Sequence, residues 1–124
     1  MKYLALVYYD ESTMSALSES DWSALNQECI GCVDNLVARG HFLAGEALEP
    51  STTATTLRLR NGKLSTTDGP FAETKEQLAG FYLLDARDLN EALQLAGKIP
   101  PARYGSIEVR PVRSLDPYRE ADKK

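Results

Sequence analysis

The sequence has 124 residues, of which 43% are hydrophobic and 26% charged, a globular composition long enough for one domain with its own core. Lys and Arg number 14 against 18 Asp and Glu, and the formal net charge of −4 argues against general nucleic-acid binding. No apolar run approaches the roughly 20 residues of a membrane span, and two cysteines are too few for a secreted disulfide scaffold. We therefore expect a cytoplasmic domain over residues 1–113 that binds neither nucleic acid nor membrane, followed by a charged, frayed tail over 114–124.

The first part of the chain predicts a strand, a long helix and a second strand. Residues 2–9 are almost continuously apolar, as in a strand that is buried on both faces. A loop is expected up to Ser18, which can cap a helix whose apolar residues recur every three or four positions until Gly40 ends it. The next strand is expected over residues 41–48, with a break at Gly45.

The second part of the chain predicts four strands and one helix. The strands are expected over residues 53–60, 63–67, 79–85 and 106–112. Asn61-Gly62 is the strongest short hairpin signal, and Asp68-Gly69-Pro70 forms a turn after the returning strand. Asp88 can cap the helix, and Gly97 ends it. Pro100-Pro101 prevent the helix from continuing, and a rigid loop is expected after them.

This order of elements predicts an α+β fold of ferredoxin-like arrangement, with an antiparallel sheet and two helices on one face. Two helices can cover only one face of such a sheet, whereas the first strand is apolar on both sides. We therefore expect two copies to pack face to face, as a homodimeric α/β barrel.

A ten-residue run at 67–76, TDGPFAETKE, resembles the hallmark of the DGPF-domain branch of the YCII-related family. Supporting segments are KYLALVYYDE at the amino terminus, GEAL at 45–48, GFY at 80–82 and PARYG at 101–105. The resemblance spans residues 1–113. It implies a dimeric, ferredoxin-like α/β barrel, in agreement with the order of the predicted elements.

The resemblance leaves two functions open. One is an enzyme, by analogy with a His–Asp pair proposed in a cleft of family members. The other is a regulatory module, because genes of the DGPF type often neighbour those of extracytoplasmic sigma factors, which makes a sigma factor a candidate partner. The helix position at which relatives often carry histidine falls at about Cys29, so a His–Asp pair is not predicted in this chain.

Asp68 is the first candidate for a catalytic side chain. Its carboxylate ends a strand before a Gly-Pro turn, where it acts either as a turn cap or as a general base or ligand anchor at a cleft. Glu46, Lys75 and Arg103 are candidates to tune Asp68 and to orient a small polar or anionic ligand, with Glu46 paired to Arg103 or Lys75. The alternative for these charged residues is a solvated loop or strand edge.

Aromatic residues near the predicted strand ends indicate either core and dimer interface or a ligand pocket, and Tyr9 and Phe71 are the candidates for ligand contact. Cys29 and Cys32 form a C-x-x-C motif near the third turn of the long helix, on its apolar stripe, which favours core packing over redox or zinc chemistry. His41 is expected at a surface corner. No P-loop, GxGxxG, HExxH or EF-hand pattern occurs, so no cofactor or metal is expected.

Overall fold

The computed structural model of the chain describes residues 1–119 and has an α+β architecture. Strands and α-helices follow in the order β1 Lys2–Tyr9, α1 Glu11–Ser15, α2 Glu19–Ala38, β2 Phe42–Ala47, β3 Thr55–Arg60, β4 Lys63–Asp68, β5 Gln77–Asp85, α3 Leu89–Ala96 and β6 Gly105–Pro111. Short 3₁₀ turns occupy Ser51–Thr53, Pro100–Tyr104 and Asp116–Tyr118.

Four of the strands form one sheet in the order β2-β5-β1-β6, and every neighbouring pair is antiparallel. The strands β3 and β4 pair only with each other, as a separate two-stranded hairpin. The prediction of an α+β fold with an antiparallel sheet is thus confirmed. Within residues 1–119 neither sheet closes into a barrel.

One face of the four-stranded sheet carries the core. Tyr3, Ala5 and Val7 of the central strand β1 are buried and pack in one cluster with Leu36 of α2 and Leu95 of α3. Because alternate residues of a strand point to the same side, both helices lie against the face to which the odd-numbered residues of β1 point.

The opposite face of this sheet, which we call the open face, is also apolar at its centre. It is formed by Leu4 and Leu6 of β1 and by Leu83 and Phe81 of β5, which stand opposite each other in the β1–β5 ladder. All four side chains are only partly buried. Within the described chain, the cluster of buried residues lies on the helix-covered side, so this apolar surface is left accessible.

Both long helices begin where the sequence predicts. Ser18 accepts a hydrogen bond from the backbone N–H three residues on, and Asp88 does the same for α3.

The predicted loop after β1 was wrong in one respect. Asp10 accepts the backbone N–H of Ser12 at 2.9 Å and thereby starts the short helix α1. The strands β3 and β5 begin at Thr55 and Gln77, two residues away from their predicted starts at 53 and 79.

The strand β2 differs from its prediction because it runs through Gly45 without a break. The irregularity in its pairing with β5 lies earlier, between Phe42 and Ala44. It moves Phe42 onto the helix-covered side with Gly45, whereas Glu46 stands opposite Phe81, on the side of the open face. Phe42 and Glu46 therefore lie on opposite faces of the sheet.

The hairpin β3–β4 has an apolar and a cationic face. Its register places Leu57, Leu59 and Leu64 on one side, together with Asp68, and two arginines and a lysine on the other. The three leucines are 62–67% exposed, far more than core residues. Asn61-Gly62 both have positive φ angles, which confirms the predicted tight turn.

The carboxy-terminal segment was predicted to fray. The described part contains a 3₁₀ turn in which Arg119 Nε lies 2.8 Å from Asp116 Oδ1, and residues 120–124 of the predicted tail lie outside the described residues. Among residues 1–119, no helix combines the length and apolarity that a membrane crossing needs.

Two glycine substitutions should change stability in opposite directions. Gly31 lies inside α2, where an added Cβ meets no atom within 4 Å, so Gly31→Ala should raise the free energy of unfolding by about 0.5–1 kcal/mol. Gly69 has a φ of 100°, so Gly69→Ala should lower it by roughly 1 kcal/mol or more. Urea unfolding of both variants measures this, and an unchanged Gly69→Ala protein would contradict the need for that backbone conformation.

Candidate functional site

A cavity of about 340 Å³, which we call the α2–sheet cavity, separates the middle of α2 from the four-stranded sheet. The helix has buried side chains only towards its two ends, at Leu25 and Leu36. Between and around these residues one helical face looks into the cavity because its side chains recur every three or four positions. The other helix residues that line it are Trp22, Asn26, Cys29, Ile30, Val33 and Asp34.

The sheet side of the cavity consists largely of small residues on β2 and β5. Gly45, Ala47, Ala79 and Gly80 all line it. A Cβ on Gly80 would lie 2.8 Å from the carbonyl oxygen of Glu46, so the two strands approach too closely for any side chain there. This lack of side-chain volume leaves space beneath the helix.

Two phenols and a thiol face this space. Tyr9 ends β1, Tyr82 lies in β5 opposite Ala5, and Cys29 lies on α2. The ring of Phe42 meets that of Tyr82 edge-on at 89°, with 6.2 Å between the centroids, which holds the phenol in place. Within residues 1–119, no hydrogen bond engages the hydroxyl of Tyr9 or Tyr82 or the thiol of Cys29.

All three groups keep their protons at neutral pH. Burial raises the pKa of Tyr82, and the neighbouring Cys29 and Cys32 raise it further. Burial also raises the pKa of Tyr9, with additional contributions from Glu11 and Cys29. For Cys29, burial, Cys32 and Glu28 raise the thiol pKa against an opposing effect of Arg103. The site therefore offers uncharged hydrogen-bond donors, not a thiolate nucleophile.

The C-x-x-C motif divides between two environments. Cys32 packs against the core cluster, as predicted, whereas Cys29 lines the cavity. Both cysteines are free thiols. No cluster of three or more His, Cys, Asp or Glu side chains among the described residues could hold a metal ion.

Arg103 lies beside the cavity and is not one of its lining residues. It stands in the 3₁₀ turn Pro100–Tyr104, where its Nη2 pairs with Oε2 of Glu28 on α2 and its guanidinium lies 5.3 Å from the ring centroid of Tyr104. Half of each partner's side chain is exposed, so the ion pair contributes only about 0–1 kcal/mol. Its partner is thus Glu28, not the predicted Glu46.

A second, larger space of about 790 Å³, which we call the hairpin groove, lies between the base of the hairpin and the open face. Leu57 of the hairpin lines it together with Tyr8 and Leu78 of the sheet and Phe71 of the following loop. Since Tyr8 and Leu78 pair with each other on the side of the open face, the groove joins this face to the apolar face of the hairpin.

The structure disperses the six candidate residues of the sequence analysis. Tyr9 and Glu46 line the α2–sheet cavity, although the register turns the side chain of Glu46 towards the open face. Phe71 lines the hairpin groove and is 78% exposed. Asp68 is exposed and lines neither space.

Lys75 is also exposed, and its charge acts on a different carboxylate from the one expected. The pKa of Asp10 is lowered chiefly by the hydroxyl and backbone N–H of Ser12, which donate to its carboxylate, and to a smaller degree by Lys75. Lys75 and Arg103 therefore do not meet around Asp68.

Main-chain contacts explain the Asp-Gly-Pro-Phe run structurally. The backbone N–H of Gly69 donates to the carbonyl of Ala54 at 2.7 Å, and the hydroxyl of Thr56 donates to the Gly69 carbonyl at 2.8 Å. Arg58 Nη2 donates to the carbonyl of Phe71 at 3.1 Å. The strand β3 thereby fixes the path of the chain from the hairpin towards β5.

Tyr82 and the polar residues Asn26 and Asp34 of α2 also line the cavity, although they were not among the residues predicted from the sequence. A signal was present, because Asn26 and Asp34 interrupt the apolar stripe of a helix that would otherwise pack along its whole length. Gly45 and Gly80 were a second signal, but only the strand register shows that both lie beneath the same helix.

Comparison with known proteins agrees with the resemblance found in the sequence. The family model described as YCII-related domain matches residues 1–116. An uncharacterised protein of Rhizobium meliloti (strain 1021) is 41% identical over 119 residues, which cover 94% of this chain and 96% of the relative.

The raised pKa of Tyr82 predicts a loss of stability in alkali. The native state holds this proton more tightly than the unfolded chain, so the stabilisation is complete below the ordinary value of 10.0 and is lost as pH rises through the raised pKa. Urea unfolding between pH 8 and about pH 11 should show a shallower decline for Tyr82→Phe than for the wild type. Tyr118→Phe, at an exposed phenol, should decline like the wild type; equal slopes for all three proteins would contradict the prediction.

Proposed function

The chain belongs to the YCII-related family, and from this premise we propose that it is a homodimeric protein that binds a small, largely apolar molecule in its α2–sheet cavity. The observation that carries the proposal is the cavity itself, an apolar space with the phenols of Tyr9 and Tyr82 and the thiol of Cys29 on its walls. Its volume falls at the lower end of the roughly 300–1,000 Å³ typical of ligand pockets, which combine apolar walls with a few polar groups.

The family resemblance also supports the α2–sheet cavity as the binding site. The helix position at which relatives often carry histidine falls at about Cys29, and this position faces the cavity. Cys29 replaces a titratable base by a protonated thiol, so the cavity of this chain suits binding better than proton abstraction. We assign the chain to the DGPF branch on the strength of the run at 67–76.

Uncovered apolar surface supports the proposed dimer. Leu4, Leu6, Leu83 and Phe81 form an accessible patch on the sheet, and the hairpin groove connects it to the exposed leucines of the hairpin. Contiguous apolar surface of this kind marks an interaction site. Two βαβ units with the sheet order β2-β5-β1-β6 support the proposal of a ferredoxin-like topology, and packing two open faces together would form the α/β barrel.

In such a dimer Asp68 faces the second copy, because it shares the hairpin face with Leu57, Leu59 and Leu64. A role for its carboxylate as ligand anchor then depends on the partner chain. The alternative function, docking on a sigma factor, is favoured by the same exposed leucines if the chain is a monomer. The oligomeric state therefore discriminates between the two functions.

Filling the cavity should abolish ligand binding. A ligand at about 100 times its dissociation constant stabilises the protein by roughly 2.7 kcal/mol, which raises the melting temperature by several degrees. We expect a thermal-shift screen of a metabolite library to give ligands that stabilise the wild type but not Val33→Phe. Val37→Phe is the matched control, since Val37 lies one turn along the same helix, is 56% exposed and does not line the cavity.

A charge on the open face should separate the dimer. Leu6→Glu places a carboxylate at the centre of this face, and burying it against a second copy would cost several kcal/mol. Light scattering should give a mass of twice 13.7 kDa for the wild type and of 13.7 kDa for the variant. The circular dichroism spectra of the two proteins should be the same. Leu93→Glu, at a half-exposed position of α3, should remain dimeric. A monomeric wild type would refute the dimer and favour the docking function.

A further inference from the structure

The α2–sheet cavity has a chemical bias that narrows the class of its ligand. Tyr9 comes from β1, Tyr82 from β5 and Cys29 from α2, yet the Cys29 thiol influences the pKa of both phenols. All three groups line this one cavity, with Tyr82 opposite Ala5 and thus four positions along the sheet from Tyr9.

The phenols at this place are held but not engaged by protein. Phe42 packs edge-on against Tyr82, and both tyrosines pack against the core cluster, so neither ring is free to turn away. Within the described part of the chain neither hydroxyl has a hydrogen-bond partner. Both hydroxyls reach accessible space, so a bound molecule can accept a hydrogen bond from either one.

The surroundings also disfavour an anionic ligand. Among the described residues that line the cavity there is no Lys, Arg or His, and the carboxylate of Asp34 lies on its helix side. Arg103, the cation beside it, is already paired with Glu28. An anion that entered this space would leave water without gaining a cationic partner, which is strongly unfavourable.

We infer that the ligand of this cavity is a hydrophobic molecule that is not an anion and carries an accepting oxygen, such as a ketone, to which the hydroxyl of Tyr9 or of Tyr82 donates. A carbonyl oxygen accepts a phenol O–H, whereas the apolar remainder of the molecule packs between α2 and the small residues of the sheet. This inference rests on the proposed binding function and specifies the ligand of the same site.

The test compares three probes of matched shape: phenylbutanone, butylbenzene and phenylbutyrate. Isothermal titration calorimetry on the full chain should show that the ketone binds about tenfold more tightly than the hydrocarbon, as expected for one net hydrogen bond. The carboxylate should bind more weakly than the ketone.

Two substitutions locate the hydrogen bonds. Tyr9→Phe or Tyr82→Phe should weaken ketone binding about three- to tenfold, and both should leave butylbenzene binding unchanged, because each removes only a hydroxyl. Tyr8→Phe is the matched control. Tyr8 neighbours Tyr9 on β1 but faces the opposite side of the sheet and lines the hairpin groove.

The outcomes separate this inference from the proposed function. If butylbenzene binds and Val33→Phe blocks it, but neither tyrosine substitution affects the ketone, the cavity binds ligands and the inference is wrong. Equal or tighter binding of phenylbutyrate overturns it as well. If no probe binds, or if Tyr8→Phe alone weakens the ketone, the α2–sheet cavity is not the site, and the proposed function fails together with the inference.

Discussion

The central strand β1 is apolar on both faces, and the two long helices of the chain can cover only one of them. On the covered face, Tyr3, Ala5 and Val7 pack under α2 and α3 and form the buried core of the described chain. Leu4 and Leu6 on the other side remain accessible, because no element of that core lies over them. The open face and the proposed homodimer are both consequences of this one imbalance between apolar strand surface and available helix.

The helix-covered face is not uniformly packed, and this unevenness produces the candidate site. Helices pack on sheets by filling the space between with side chains, at a density that tolerates few voids. Here α2 buries Leu25 and Leu36, but the sheet beneath its middle offers glycine and alanine. The resulting space carries two rigid phenols and a thiol that burial keeps protonated. It is in this space that we propose an apolar ligand binds.

The Asp-Gly-Pro-Phe run, the most distinctive part of the sequence, lies away from this cavity. Its carbonyls and an N–H are bound by Ala54, Thr56 and Arg58, so the run anchors the hairpin to the rest of the chain. The register of the hairpin places its leucine face and the carboxylate of Asp68 on the same side. The motif and the cavity therefore serve separate parts of the proposed function, one the assembly and the other the ligand.

The sequence by itself determined the order of the strands and of the two longer helices, the caps at Ser18 and Asp88 and the Asn61-Gly62 turn, because each depends on residues close together in the chain. It also indicated Tyr9 as a candidate for ligand contact, since an aromatic ring at a strand end is visible locally. It could not show that Tyr82 and Cys29 join Tyr9, or that Arg103 pairs with Glu28. Those contacts link residues far apart in sequence, and a single irregularity between Phe42 and Ala44 decides which side chains of β2 face the helix. Only the tertiary structure fixes that register, and with it the composition of the cavity.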